Sequence, residues 1–156
     1  MRTMCKLRKL PFFLAFIIMT LNGLAFADGR ATLIVSATVV ANIKQTVIHQ
    51  VGKINITETD LTRGFVEIPS GTILQVKTNH QKGYFLSFEG GSELFREAWV
   101  TDKRRTTVLS SNGGIVHQPY ANGNLEIKEL SYRFYLSENI QPGLYPWPFR
   151  VKASLL

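Results

Sequence analysis

The side chains able to do chemistry are few and far apart. Three histidines, His49, His80 and His117, stand 31 and 37 residues from one another, so no pair falls on neighbouring helical turns. Each reads as an exposed or hydrogen-bonded loop side chain rather than a metal ligand. The carboxylates are Glu93, Glu97, Asp102 and the Glu126/Glu129 pair. Glu126 and Lys128 alternate with apolar neighbours, the pattern of a solvated strand face rather than an acid/base pair. The chain contains no Gly-x-Ser-x-Gly, no P-loop and no Gly-x-Gly-x-x-Gly. Its single cysteine is Cys5. These observations point to no catalytic residue, no metal ligand and no cofactor, and the protein is expected not to be an enzyme.

Binding chemistry has better candidates. Lys103-Arg104-Arg105 is the densest basic run, and it lies between two apolar segments where a hairpin tip would present several donors to an anion. Most aromatics fall on apolar faces and are expected in the core. Tyr135, opposite in phase to Phe134, and Tyr145-Pro146-Trp147-Pro148 stand apart as an exposed contact surface of the kind that glycans stack on. Lys103, Arg104 and Arg105, or alternatively the Tyr145 and Trp147 cluster, are therefore the candidate surfaces for an anionic or glycan ligand.

The elements that must carry these residues follow an export signal. Arg2, Lys6, Arg8 and Lys9 precede an apolar run from Phe12 to Leu21, and Ala25-Phe26-Ala27 provides small residues for cleavage before Asp28. Residues 1–27 are thus expected to be a cleaved signal peptide, leaving 28–156 as one domain with no membrane span, located in the periplasm or at the cell surface. Of the formal charge of +7, four basic residues belong to the leader, and the remainder holds 14 basic against 11 acidic groups. That balance gives no footprint for nucleic acid. Cys5 leaves with the leader, so the mature chain is expected to form no disulfide.

The mature chain alternates with period two. Leu33, Val35, Ala37 and Val39 share one face of Thr32–Val40; Leu74 and Val76 alternate with Gln75 and Lys77; Tyr84, Leu86 and Phe88 make a further row. Pro69-Ser70-Gly71, Asn79 to Gly83, Gly90-Gly91, Asn112-Gly113-Gly114 and Asn122-Gly123-Asn124 separate the strands as turns. Glu58 to Arg63 predicts a single helical turn, capped by Thr57 or Thr59. From Leu125 to Leu136 the apolar phase changes near Glu129, which predicts a β-bulge in one long strand. Phe149, Val151, Ala153 and Leu155 form the last row, and Pro146 and Pro148 put the start of that strand at a sheet edge or outside the sheet. Pro142-Gly143 predicts a turn joining the last two strands as a hairpin. The fold class is all-β, an antiparallel β-sandwich.

Alternating strands at both ends of the mature chain suit β-augmentation, in which a strand pairs with the sheet edge of another subunit. The opening Thr32-Leu33-Ile34-Val35-Ser36-Ala37-Thr38-Val39-Val40-Ala41-Asn42 resembles the first strand of archaic chaperone–usher pilins and the related spore-coat-U-like proteins. The segment Leu130–Leu136, the turn Pro142-Gly143-Leu144-Tyr145 and the final strand resemble that group's terminal hairpin. The resemblance covers about a third of the mature chain and implies an immunoglobulin-like sandwich. It implies a pilin-like or fimbria-associated structural subunit whose partners are other β-sandwich subunits, or a periplasmic chaperone and an outer-membrane usher. Carried over, Leu33, Val35, Ala37 and Val39 are the core-facing row of a first or donated strand, and Phe149, Val151, Ala153 and Leu155 the row to which a chaperone would pair. The cysteine pair usual near the first strand of such pilins is missing, as is an extension ahead of that strand, which points to a self-complete relative. The alternative is a self-contained periplasmic binding module for an anionic or glycan ligand.

Overall fold

The computed structural model of the protein describes residues 35–103 and 105–156. The fold is all-β and antiparallel, and its strands lie within the unit Val39–Leu156. The elements are β1 (Ile43–Gln50), β2 (Lys53–Ile56), α1 (Glu58–Arg63), β3 (Phe65–Thr78), β4 (Tyr84–Glu89), β5 (Phe95–Asp102), β6 (Arg105–Ser110), β7 (Gly113–Gln118), β8 (Glu126–Leu136), β9 (Gly143–Pro146) and β10 (Arg150–Leu155). Eight strands run in the order β1-β3-β8-β5-β6-β7-β4-β10, and β2 pairs with β9 in a separate ribbon. β6 and β7 meet at one residue pair, Ser110 and Gly113, so the sheet turns a corner there. The inward rows then enclose one core. Phe88 of β4 meets Tyr132 of β8 edge-on, and Phe149 packs against Phe88, Phe95 and Phe134.

The helical turn forms as its sequence dictates. Thr57 is the N-cap, its hydroxyl accepting from Asp60 N–H, while the Asp60 carboxylate accepts from Thr57 N–H in return. This capping box satisfies two backbone donors at the helix start. Gly64 ends the helix in the left-handed region at φ 75°, where a β-carbon would be strained. Hydrogen bonding from the Thr57 side chain holds the Asp60 carboxyl below its ordinary value, with the Thr57 amide and Arg63 adding to the effect against the opposing cost of burial.

Four expectations are corrected by the structure. First, residues 35–42 form no strand. Val35 and Val39 are 79% and 78% exposed, Ala37 is exposed, and Leu33 lies outside the described residues. The ladder between β1 and β3 starts only at Ile43 and Thr78. Just beyond it, the Asn79 side chain accepts from Asn42 N–H at 2.6 Å and donates to the Val40 carbonyl at 2.9 Å.

Second, β8 keeps one phase from end to end. Lys128, Leu130, Tyr132, Phe134 and Leu136 all point inward, while Leu125 and Ile127 face solvent. The irregularity lies in β3 instead, where two additional residues stand between the pairs Ile68–Tyr132 and Thr72–Leu130. Pro69-Ser70-Gly71, expected as a turn, is this bulge. Pro69 lacks an amide donor, Ser70 N–H donates to the Ser131 hydroxyl at 3.1 Å, and a β-carbon on Gly71 would come within 2.8 Å of the Trp147 ring.

Third, the terminal hairpin does not exist. β8 lies between β3 and β5, β9 pairs with β2, and β10 pairs with β4, so the Pro142-Gly143 connection leads to a different sheet. Fourth, Trp147 belongs to the core margin and not to an exposed surface. Its ring stands edge-on to Tyr132 and Phe134, with centroids 4.9 and 5.7 Å away.

Candidate functional site

The eight-stranded sheet has two ends, β1 and β10, and each has a strand partner on one side only: β1 on β3, β10 on β4. These two free edges are neighbours, bridged by side chains rather than by a ladder. Gln45, in β1, donates from Nε2 to the Val151 carbonyl at 2.9 Å and accepts from Ala153 N–H at 2.5 Å. One side-chain amide thus occupies two hydrogen-bonding positions that the main chain of a neighbouring strand would take. Gln50 reaches the Phe149 carbonyl at 3.5 Å in the same manner.

Alternation along an antiparallel strand gives the polarity of this seam. Because Val151 C=O and Ala153 N–H point toward β1, the main-chain groups of Val151, Ala153 and Leu155 face the seam, while Arg150, Lys152 and Ser154 turn theirs toward β4. The side chains follow the expected row. Phe149 and Val151 are buried, and Ala153 and Leu155 half-buried. On β1, Val47 has the inward parity of Ile43 and Gln45 yet is 48% exposed.

Lys103 and Arg105 of the basic run sit where the sequence placed them, at the tip between β5 and β6. Lys103 turns the chain at φ 55°, and Lys103 and Arg105 are exposed. Arg104 lies outside the described residues. Tyr145 is half-buried against the core, with its hydroxyl donating to the Gln141 carbonyl at 2.8 Å. Among the histidines, His49 is exposed, while ring nitrogens of His80 and His117 lie 3.0 and 3.1 Å from the carbonyls of Gly83 and Lys82.

A polar cluster that periodicity concealed lies inside one end of the core. Lys128, with 5% of its side chain exposed, donates to Asp102 Oδ2 at 2.8 Å and Gln118 Oε1 at 2.9 Å, and pairs with Glu126 Oε1 at 2.6 Å. The Tyr84 hydroxyl donates to Glu126 Oε2 at 2.9 Å, and its ionisation is pushed far up by burial and by the neighbouring Glu126 and Asp102 charges. Tyr84 therefore stays a neutral donor. The only advance sign of this cluster was Lys128 itself, two residues before Leu130 and in phase with the buried row.

No family model, curated protein or solved structure matches the chain.

Proposed function

We propose that the protein is an exported, non-enzymatic structural subunit of pilin-like or fimbria-associated type, an immunoglobulin-like sandwich that joins its neighbours by strand pairing at the β1/β10 seam. The observation that carries this reading is the Gln45 bridge. Two sheet edges stand side by side, and the hydrogen bonds crossing between them come from glutamine side chains. The occupant is the segment containing Leu33, Val35, Ala37 and Val39 of a second copy. Its described members are exposed and have no partner strand among the described residues, and its alternation supplies one apolar face. An entering strand would take up the outward groups of Val151, Ala153 and Leu155 and place its apolar row beside Val47.

The test is the mass of the exported chain in solution, by light scattering after gel filtration. Wild type is expected to form oligomers or to co-purify with a chaperone. Val35→Asp with Val39→Asp should return it to a monomer by charging the donor row. Ala153→Pro should do the same from the acceptor side, removing one outward N–H without touching the β4 ladder. A monomeric wild type, or oligomers indifferent to both changes, overturns the proposal.

A further inference from the structure

Strand register sets two rows of side chains on the outer face of β3, β8, β5 and β6. Glu67, Arg133, Trp99 and Val108 stand side by side across the four strands. Two residues along, Ser131, Thr101 and Thr106 form the second row, with Pro69 beside it. Between them lies an open cleft of about 470 Å³, and a second hollow of about 290 Å³ continues from it. The two share Thr101 and Ser131, and the second is walled by Lys103, Ile127 and Glu129. The result is a groove crossing four strands, of the size that small-molecule sites have.

Its side chains are held in place before any ligand arrives. Trp99 donates from Nε1 to Glu97 Oε1 at 3.1 Å and packs against Tyr135 with centroids 5.2 Å apart. Arg133 donates twice to Glu67 Oε1, from Nε at 2.8 Å and Nη2 at 2.5 Å, and its guanidinium lies 4.8 Å from the Phe65 ring centre and 5.9 Å from that of Trp99. Glu67 Oε2 accepts no hydrogen bond from the described residues. Ser131 Oγ already accepts from Ser70 N–H, which leaves its proton to donate, and the Thr101 and Thr106 hydroxyls lie 2.9 Å apart.

An indole in one row and hydroxyls in the next, lining the same cleft, suit a ligand with an apolar C–H face and a rim of groups that both donate and accept. Among the residues lining the groove the formal charges balance, Glu67 against Arg133 and Glu129 against Lys103, so the lining itself favours a neutral ligand over a phosphate or carboxylate. From these features we infer that the groove binds a neutral pyranose glycan about two rings long, one ring on Trp99 and the next along Thr101 and Ser131 toward Lys103. The site lies on strand faces away from the β1/β10 seam and does not depend on strand exchange.

The test titrates the exported chain with neutral di- and trisaccharides of glucose, galactose, mannose and N-acetylglucosamine. Trp99 fluorescence in a Trp147→Phe background reports binding, and saturation-transfer NMR checks it. At least one sugar should bind, and Trp99→Ala and Thr101→Val should each weaken it by about tenfold or more. Thr101→Val keeps shape on an outward strand position, so it decides the matter alone should Trp99→Ala fail to fold. Ala153→Pro should leave sugar binding unchanged. No binding at millimolar sugar, binding indifferent to Thr101→Val, or tighter binding of glucuronate disaccharides or inorganic phosphate than of every neutral sugar overturns the inference.

Discussion

Gln45 should act on stability and on association with opposite sign. Its amide makes two hydrogen bonds to β10, at 2.9 and 2.5 Å. At about 0.5–1.5 kcal/mol net for each bond, replacing it with Met should lower the unfolding free energy by about 1–3 kcal/mol. The same bonds must break before another strand can pair with Val151 and Ala153. Removing them should therefore tighten strand uptake by a comparable free energy, roughly tenfold for each 1.4 kcal/mol. The assay uses a labelled peptide with the sequence of residues 31–41 and the full chain carrying Val35→Asp and Val39→Asp, so that its own segment does not compete. Fluorescence polarisation gives the affinity and urea unfolding the stability, each with Gln45 and with Gln45→Met. The reasoning fails if affinity falls along with stability, or stays fixed while stability drops.

Two further outcomes test the interior. Lys128→Met should strand Asp102 and Glu126, whose side chains are only 15% and 19% exposed, and lose about 3 kcal/mol, the lower end for a broken buried pair because both carboxylates keep some water. In urea, where small proteins have m near 1–3 kcal/mol per molar, the midpoint should fall by about 1 M or more, and adding Asp102→Asn and Glu126→Gln should recover most of it; a shift within error contradicts the assignment. Asp60 has a folded pKa below its unfolded value, so its contribution is complete above about pH 4 and disappears as the pH drops through the folded value. Thermal midpoints of wild type and Asp60→Asn should accordingly differ at pH 6 and converge toward pH 2, and a gap constant across that range would show that Asp60 ionisation does not support the cap.

Much of the fold was legible because the core obeys alternation. Leu74 and Val76, Tyr84, Leu86 and Phe88, and Phe149 and Val151 are buried as their spacing requires, and Glu58–Arg63 is the capped turn that Thr57 announces. Failures came where a residue's partners lie far off in sequence. Lys128, expected on a solvated face, shares the phase of Leu130, but what holds its ammonium inside is Asp102 and Gln118, which no local pattern reports. Thr32–Val40 has strand periodicity, but residues 35–42 remain outside the sheet, since a strand also needs a neighbour. Pro69-Ser70-Gly71 resembles a turn and is a bulge because β8 continues past it. Of the seam only the β10 edge was legible, from the Phe149–Leu155 row; β1, at Ile43–Gln50, and Gln45, the side chain that reaches across from it, carried no local signal. Trp99, counted with the core aromatics, is half-exposed because β5, after the register shift beyond Phe95, shows Glu97, Trp99 and Thr101 to the outside.

The single Ser110–Gly113 pair has a mechanical consequence. Followed round its circumference, the wall of the molecule is interrupted twice, once at that corner and once at the glutamine bridge. A cylinder slit along one line can only bow outward, whereas one weakened along two lines can swing like a clamshell. Widening the glutamine side to admit a guest, which adds about 4.8 Å of spacing, would be taken up as rotation about the serine–glycine corner. Every other ladder could then travel as a rigid leaf.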